Sequence, residues 1–372
     1  MRRVLVLGAG KIGGAIVDLL GATGDWEVTV ADQKREFLEL IDEERAARTL
    51  VDVSDVSVLA GLARGHDYLV SALPFFLNPD VARVARDVGA HYFDLTEDVA
   101  TTRAVRAVAD DADTAFIPQC GLAPGFISIA AADLASRFDR LREVRMRVGA
   151  LPQFPIDTLK YNLTWSTDGL INEYCNPCEA IRDGRLTEVL PLEGLESLSL
   201  DGVDYEAFNT SGGLGTLCET LEGRVDRLDY KTVRYPGHRE VMKMLLEDLR
   251  LRDRREILKD VLERSVPITH QDVVLIFVMV SGWRDARLTQ ETYARKVYAH
   301  EVGGRLMSAI QLTTAAGVCA MVDLHAKGSL PQQGFVRQEQ AALEPFLANR
   351  FGRHYAVTSD GGGSGMRGTA ST

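Results

Sequence analysis

The sequence predicts an α/β fold: a doubly wound parallel sheet up to residue 122, then an α+β domain of mainly antiparallel sheet. Three observations carry this. Short β-rich runs alternate with helical patterns through the first third of the chain, as in a parallel sheet wrapped by helices. Strand-like segments with fewer helices between them follow, the grammar of antiparallel pairing. The third is Gly8-Ala9-Gly10-Lys11-Ile12-Gly13, directly behind the apolar run Val4-Leu5-Val6-Leu7 and ahead of the helix-like stretch 15–20.

The apolar run forms the first strand and the glycines its turn. Gly8 makes the tight turn, Gly10 lets the backbone approach a pyrophosphate, and Gly13 lets the helix pack close to the sheet. The phosphates then meet free amides at the helix N-terminus. This is the pattern of a Rossmann dinucleotide site, with Gly8, Ala9, Gly10, Lys11, Ile12 and Gly13 as its predicted contacts. The second run, 27–31, ends at Asp32, where a carboxylate accepts from the adenosine ribose hydroxyls and repels a 2′-phosphate. NAD is the expected cofactor, and NADP is the alternative because Lys34 and Arg35 follow closely.

Further strands are placed at 49–53, 67–72, 91–95 and 115–118, with a helix over 79–89 whose Val81, Val84, Ala85 and Val88 share a face. In such sheets the ligand lies beyond the carboxyl ends of the strands. Asp52 and Val53 are therefore expected beside adenine, and Ser71, Ala72, Leu73 and Pro74 along the pyrophosphate and nicotinamide ribose. Gly121 and Leu122, in the crossover to the second domain, complete the cofactor set. Asp94, Thr96 and Glu97 follow the fifth strand, either at the site or as a solvated loop capping the next helix.

After the crossover a helix is predicted over 126–138, then strands at 144–148, 205–208, 226–235, 273–280 and 292–298. Amphipathic helices fit 239–249 and 254–264. The apolar stretch 305–324 is expected to return to the first domain as a buried helix, and the glycine-rich tail to be disordered. The domain plan is 1–122 for dinucleotide binding, 123–303 for substrate and dimerisation, 304–357 for the returning helical segment and 358–372 for the tail.

With 46% hydrophobic and 26% charged residues the composition is that of a globular protein. A net charge of -11 argues against nucleic acid as a partner, and no apolar stretch is expected to reach the length of a membrane span. Met1-Arg2-Arg3 runs straight into the first strand rather than a signal peptide, so the expected location is the cytoplasm. Five cysteines, an odd number, make a disulfide framework improbable. Cys175-Asn176-Pro177-Cys178 has the spacing of half a zinc site or a redox pair, weighed against ordinary thiols in a turn; no metal is expected.

Several blocks occur together in one order: 4–13, Gly121-Leu122-Ala123-Pro124-Gly125, Tyr161-Asn162 with Ser166-Thr167-Asp168-Gly169-Leu170, and Ala207 through Gly213. The most specific is Leu228-Asp229-Tyr230-Lys231-Thr232-Val233-Arg234-Tyr235-Pro236-Gly237-His238. Through these blocks the chain resembles the saccharopine dehydrogenase-like oxidoreductases, closest in pattern to the lysine 6-dehydrogenases. Trp165 and the segment 172–178 look more like the wider group. The resemblance implies a nicotinamide enzyme acting on the C–N bond of a small amino-acid substrate. Its first reading is lysine 6-dehydrogenase-like oxidative deamination. The alternatives are a saccharopine, opine or carboxyspermidine-type dehydrogenase, or a nucleotide-binding protein without catalysis. A homodimer through the second domain, using apolar strands such as 273–280, is expected as well.

Oxidising an amine-bearing carbon requires the nicotinamide face near that carbon, a neutral amine, and anchors for the rest of the substrate. Arg234 offers a guanidinium fork for a carboxylate. Lys231, His238 and Asp94 are the candidate acid/base residues. Strand alternation puts Lys231, Val233 and Tyr235 on one face and Thr232 and Arg234 on the other, so both cations line one pocket only if the strand bends near Pro236. Thr210, Ser211 and Gly212 offer hydroxyls and free amides to a carboxylate, and Tyr161, Asn162 and Trp165 are expected to shape the substrate pocket.

Overall fold

A computed structural model describes residues 1–163 and 165–356; the tail expected to be disordered lies outside the described residues. The first domain carries β1 (Arg2–Leu7), β2 (Trp26–Asp32), β3 (Ala47–Leu50), β4 (Tyr68–Ser71), β5 (His91–Asp94) and β6 (Ala115–Ile117). They form one parallel sheet in the order β6-β5-β4-β1-β2-β3. Val4 through Leu7 are wholly buried, because helices cover both faces and the strand is apolar on each side. Asp52 and Val53 fall after β3 rather than in it. The Asp52 carboxylate accepts from Ser54 N at 2.9 Å and Ser54 Oγ at 2.7 Å, a local turn that competes with strand pairing.

The second domain holds β7 (Arg140–Pro152), β8 (Cys178–Arg182), β9 (Arg185–Val189), β10 (Glu196–Leu200), β11 (Val203–Asn209), β12 (Arg227–Arg234), β13 (Asp272–Arg284) and β14 (Arg287–Tyr298). The main path is β10-β11-β12-β7-β13-β14, antiparallel except where β12 and β7 run parallel. Residues 273–280, the apolar strand expected at a dimer interface, are covered within the protomer. β13 sits between β7 and β14, and Val274, Ile276, Val278 and Val280 are fully buried.

A hairpin of β15 (His300–Val302) and β16 (Arg305–Met307) precedes the long apolar helix, which begins at Ala309 rather than Arg305. Its start is set by caps. Ser308 and Gln311 form a capping box, and the Asp272 carboxylate accepts from the amides of Ala309 (2.5 Å) and Ile310 (3.1 Å). Contrary to the sequence expectation, this helix, Ala309–Ala326, is long and apolar enough to cross a bilayer; 89% of it is buried inside the protein. It packs against the helix Lys11–Gly21, and His325 Nδ1 lies 3.3 Å from the Tyr68 hydroxyl on β4. The short β17 (Gly334–Phe335) then adds to β6, so the chain re-enters the first sheet after building the second.

Candidate active site

A cleft of about 560 Å³ opens between the carboxyl ends of β1, β4 and β5 and the inner face of the second sheet. On the dinucleotide side it is lined by Gly10 to Gly13, by Ala72, Leu73, Pro74 and Phe75, and by Gly121 and Leu122. The opposite wall is Val148 and Ala150 of β7 with Tyr230, Thr232 and Arg234 of β12. Trp165, Glu97 and Glu173 lie between these walls.

The residues at the turn fit a dinucleotide. Gly8 has a φ of +94°, and a Cβ on Gly13 would stand 1.8 Å from the Gly8 carbonyl oxygen, so any side chain there forces the helix off the strand. Around Gly10 a Cβ would meet nothing within 4 Å, leaving room for a phosphate at the backbone. The first helical bond runs from Gly14 N to Gly10 O (2.8 Å), and no side chain caps this end, so the amides of the first turn are free for an anion. Asp32 closes the turn from beneath: its carboxylate accepts from Ala9 N at 2.7 Å and Lys34 N at 2.8 Å. Lys11 Nζ donates to the Leu163 carbonyl at 3.1 Å and ties the turn to the second domain.

Gly8, Ala9, Asp32 and Ser71 thus stand behind the cleft wall rather than on it, Ser71 donating to Asn78 Oδ1 at 2.7 Å. Asp52 and Val53 do not reach the cleft.

Among the predicted substrate residues, Arg234 and Trp165 line the cleft. Arg234 is 3% exposed. Its Nε donates to the Tyr174 hydroxyl (2.9 Å), its Nη1 donates to Val233 O (2.9 Å), and the Tyr161 ring lies 4.9 Å from the guanidinium carbon. Among the described residues neither a carboxylate nor any other acceptor holds its Nη2. Tyr161 supports from behind, its hydroxyl accepting from Trp165 Nε1 at 2.8 Å. Asn162 points away, donating to Thr269 O at 3.4 Å. Thr210, Ser211 and Gly212 do not line the cleft either. Ser211 N donates to the Glu173 carbonyl at 2.9 Å, and Gly212, at φ +87°, abuts the Glu97 backbone. This loop buttresses the two glutamates instead of gripping a ligand.

The three candidate acid/base residues are all elsewhere. Lys231 points to the opposite face of β12, as alternation requires, and pairs with Glu196 Oε2 at 2.8 Å. Burial alone would push Glu196 up; Arg147, then Lys231, outweigh it and hold its carboxyl at about 2. His238 is buried behind Arg234. Its Nδ1 lies 2.7 Å from Leu159 O, which only accepts, so Nδ1 carries the proton and Nε2 accepts from the Tyr174 hydroxyl at 3.0 Å. Burial, with Arg234 adding to it, lowers His238 to about 3 and keeps it neutral. Asp94 is sealed at the ends of β5 and β6, accepting from Gln119 N (2.9 Å), Thr96 N (3.0 Å) and the Tyr92 hydroxyl (2.7 Å).

Glu173, Glu97 and Thr232 occupy the places predicted for others. Glu173 lies in the helix Thr167–Cys175, which Ser166 caps by accepting from Gly169 N at 3.1 Å. The signal was present: Ser166 is a good N-cap, and Gly169 and Glu173, four apart, share a helix face. Cys175 and Cys178 end that helix and open β8, and all five cysteines are free and buried.

Two family profiles divide the chain as its two sheets do. Residues 4–117 match the saccharopine dehydrogenase NADP binding domain and residues 121–352 match the saccharopine dehydrogenase C-terminal domain. The chain belongs to the saccharopine dehydrogenase family. Saccharopine dehydrogenase [NADP(+), L-glutamate-forming] of Saccharomyces cerevisiae is 24% identical over 196 residues, 50% of this chain and 44% of that protein. The mitochondrial alpha-aminoadipic semialdehyde synthase of Rattus norvegicus is 21% identical over 271 residues, 65% of this chain. The chain thus spans 27% of the length of the rat relative and 44% of the yeast one.

The resemblance in fold is broader. The apo L-Glu-forming saccharopine dehydrogenase structure from Saccharomyces cerevisiae superposes with a TM-score of 0.74 at 18% identity, covering 93% of this chain and 95% of that one. Homospermidine synthase from Legionella pneumophila, solved with NAD, gives 0.67 at 15% identity, covering 95% and 89%.

Proposed function

We propose that this protein is an NAD(P)-dependent dehydrogenase of the saccharopine or opine type. It reversibly oxidises a secondary amine that joins two carbon skeletons, one of them an amino acid. The observation that carries this is Arg234: a buried guanidinium with an open Nη2, facing the same cleft as the glycine turn. Such a group needs an anion, and a substrate carboxylate supplies one. The names of the relatives point to saccharopine chemistry rather than lysine 6-dehydrogenation, which displaces oxidative deamination of lysine as the first reading.

The turn 8–13 and Asp32 would hold the dinucleotide, which when bound supplies the hydride acceptor. Arg234 fixes the substrate carboxylate, Trp165 and the apolar residues Leu95, Val148 and Ala150 exclude water, and the cleft confines the reacting carbon. A cofactor-reduction screen tests the reading, comparing saccharopine and opine-type secondary amines with lysine and ornithine. Turnover of secondary amines supports it; turnover of primary amines alone returns the deaminase reading.

The assembly we favour is a homodimer using the free edge of β14, which among the described residues pairs with β13 alone. A monomer in sedimentation at micromolar concentration would remove that part. The five free thiols suit a reducing compartment such as the cytoplasm.

A further inference from the structure

Chemistry at nitrogen needs a side chain that exchanges a proton near neutral pH. None of the groups lining the cleft is a histidine or cysteine, among the described residues, and Lys11 sits at the glycine turn, held by Leu163. Four carboxylates line it: Glu97, Asp168, Glu173 and Glu263. Asp168 is paired with Lys259 at 2.7 Å, and Glu263 is exposed at the rim. Glu97 and Glu173 remain, together in the interior of the cleft with Arg234.

We infer that Glu173 exchanges the proton with the substrate nitrogen, and that Glu97 tunes it. This rests on the secondary-amine reading above. The geometry is specific. Glu173 Oε2 is closed to solvent and has no hydrogen-bond partner, although its side chain borders the cleft that Arg234 also faces. Glu97 packs on the same helix: a Cβ on Gly169 would stand 2.6 Å from Glu97 Oε1. One carboxylate comes from the loop after β5 and the other from a helix of the second domain, so the pair exists only where the two domains meet.

The electrostatics agree with that role. Burial, then the neighbouring Glu97, push Glu173 up to about 8, while Arg234 pulls the other way. Burial, with Asp98 and Asp94 adding to it, pushes Glu97 up to about 7. Tyr161, Tyr174, Tyr230 and Cys178 also surround Glu173, and burial keeps each of them neutral.

In the oxidative direction one N–H bond of the secondary ammonium breaks and an O–H bond forms on the Glu173 carboxylate. The freed nitrogen lone pair stabilises the carbon from which the hydride leaves to the nicotinamide dinucleotide, giving a substrate iminium that water then hydrolyses. In the reductive direction protonated Glu173 returns its proton to the nitrogen as the C–H bond forms. Oxidation therefore needs ionised Glu173 and rises with pH through about 8.

The experiment compares wild type, Glu173→Gln and Glu97→Gln in kcat and kcat/KM against pH, with NADH or NADPH fluorescence reporting cofactor binding. Glu173→Gln is expected to lower kcat by about 100-fold or more, to bind cofactor normally and to lose the limb near 8. Glu97→Gln removes a neighbouring negative charge and is expected to move that limb to lower pH while turnover persists. If Glu173→Gln keeps kcat within about threefold with the limb in place, Glu173 is not the proton carrier and the functional reading stands. If Glu173→Gln fails to fold, an unmoved limb in Glu97→Gln overturns the inference instead. If wild type oxidises no secondary amine, the functional reading itself falls and takes this inference with it.

Discussion

The Tyr174 hydroxyl accepts from Arg234 Nε at 2.9 Å. The same hydroxyl donates its proton to His238 Nε2 at 3.0 Å, and His238 donates in turn to Leu159 O at 2.7 Å. Every proton in this chain has one possible place, because Arg234 only donates and a carbonyl only accepts. The histidine expected to shuttle protons is instead the anchor of a relay that fixes one cation. Tyr174→Phe breaks the relay without removing the cation. KM for the substrate is expected to rise about 10-fold, from the lost charge-assisted hydrogen bond, with cofactor affinity unchanged. An unchanged KM would show that packing alone orients the guanidinium.

Arg234 itself is the stronger test of substrate anchoring. Arg234→Ala is expected to cut kcat/KM by about 100-fold or more, and Arg234→Lys to recover only part of it, since an ammonium lacks the planar fork. Steady-state kinetics with cofactor titration decides this. Weakened cofactor binding with an intact substrate KM would move Arg234 out of the substrate site.

Lys231 is expected to matter for stability and not for turnover. Lys231→Met leaves Glu196 with Arg147 as its remaining partner and should cost about 1–3 kcal/mol in denaturant unfolding, with kcat within about twofold of wild type. The pH dependence has a definite sign. Glu196 is depressed to about 2, so its contribution is present above the unfolded value of about 4.3 and lost as pH falls through about 2. Lys231→Met should move that loss to higher pH. A large fall in kcat would put the lysine back among the catalytic candidates.

Asp32 is expected to govern the choice of dinucleotide. Its carboxylate stands at the end of β2, held by the Ala9 and Lys34 amides, where it would repel a 2′-phosphate. Asp32→Ala is expected to shift the ratio of NADPH to NADH affinity towards NADPH by about 10-fold, as fluorescence titration would show. Tighter NADPH than NADH binding in wild type, with no change on substitution, would overturn the NAD preference.

The parallel sheet and the glycine turn were legible in the sequence because each depends on neighbours in the chain. An apolar run buried on both faces, glycines where backbone must approach backbone, and an acid at the next strand end all lie within 32 residues. The alternation of β12 was legible for the same reason, and it already separated Arg234 from Lys231. The blocks resembling the saccharopine dehydrogenases carried the family without any long-range information.

Only the tertiary structure decided which polar residues meet. Asp94 and His238 look like chemistry in sequence, yet neighbours from other segments saturate them: Gln119 for Asp94, and Leu159 and Tyr174 for His238. Glu173 looked like part of an atypical segment, and becomes notable only when Glu97, from a loop 76 positions earlier, closes over its helix. Burial was equally out of reach for local patterns. The helix Ala309–Ala326 has the composition of a membrane span, and its place in the core follows from the elements packed around it. Local periodicity sets strands, turns and faces; the desolvation and pairing that make a carboxylate reactive arise where distant segments are brought together.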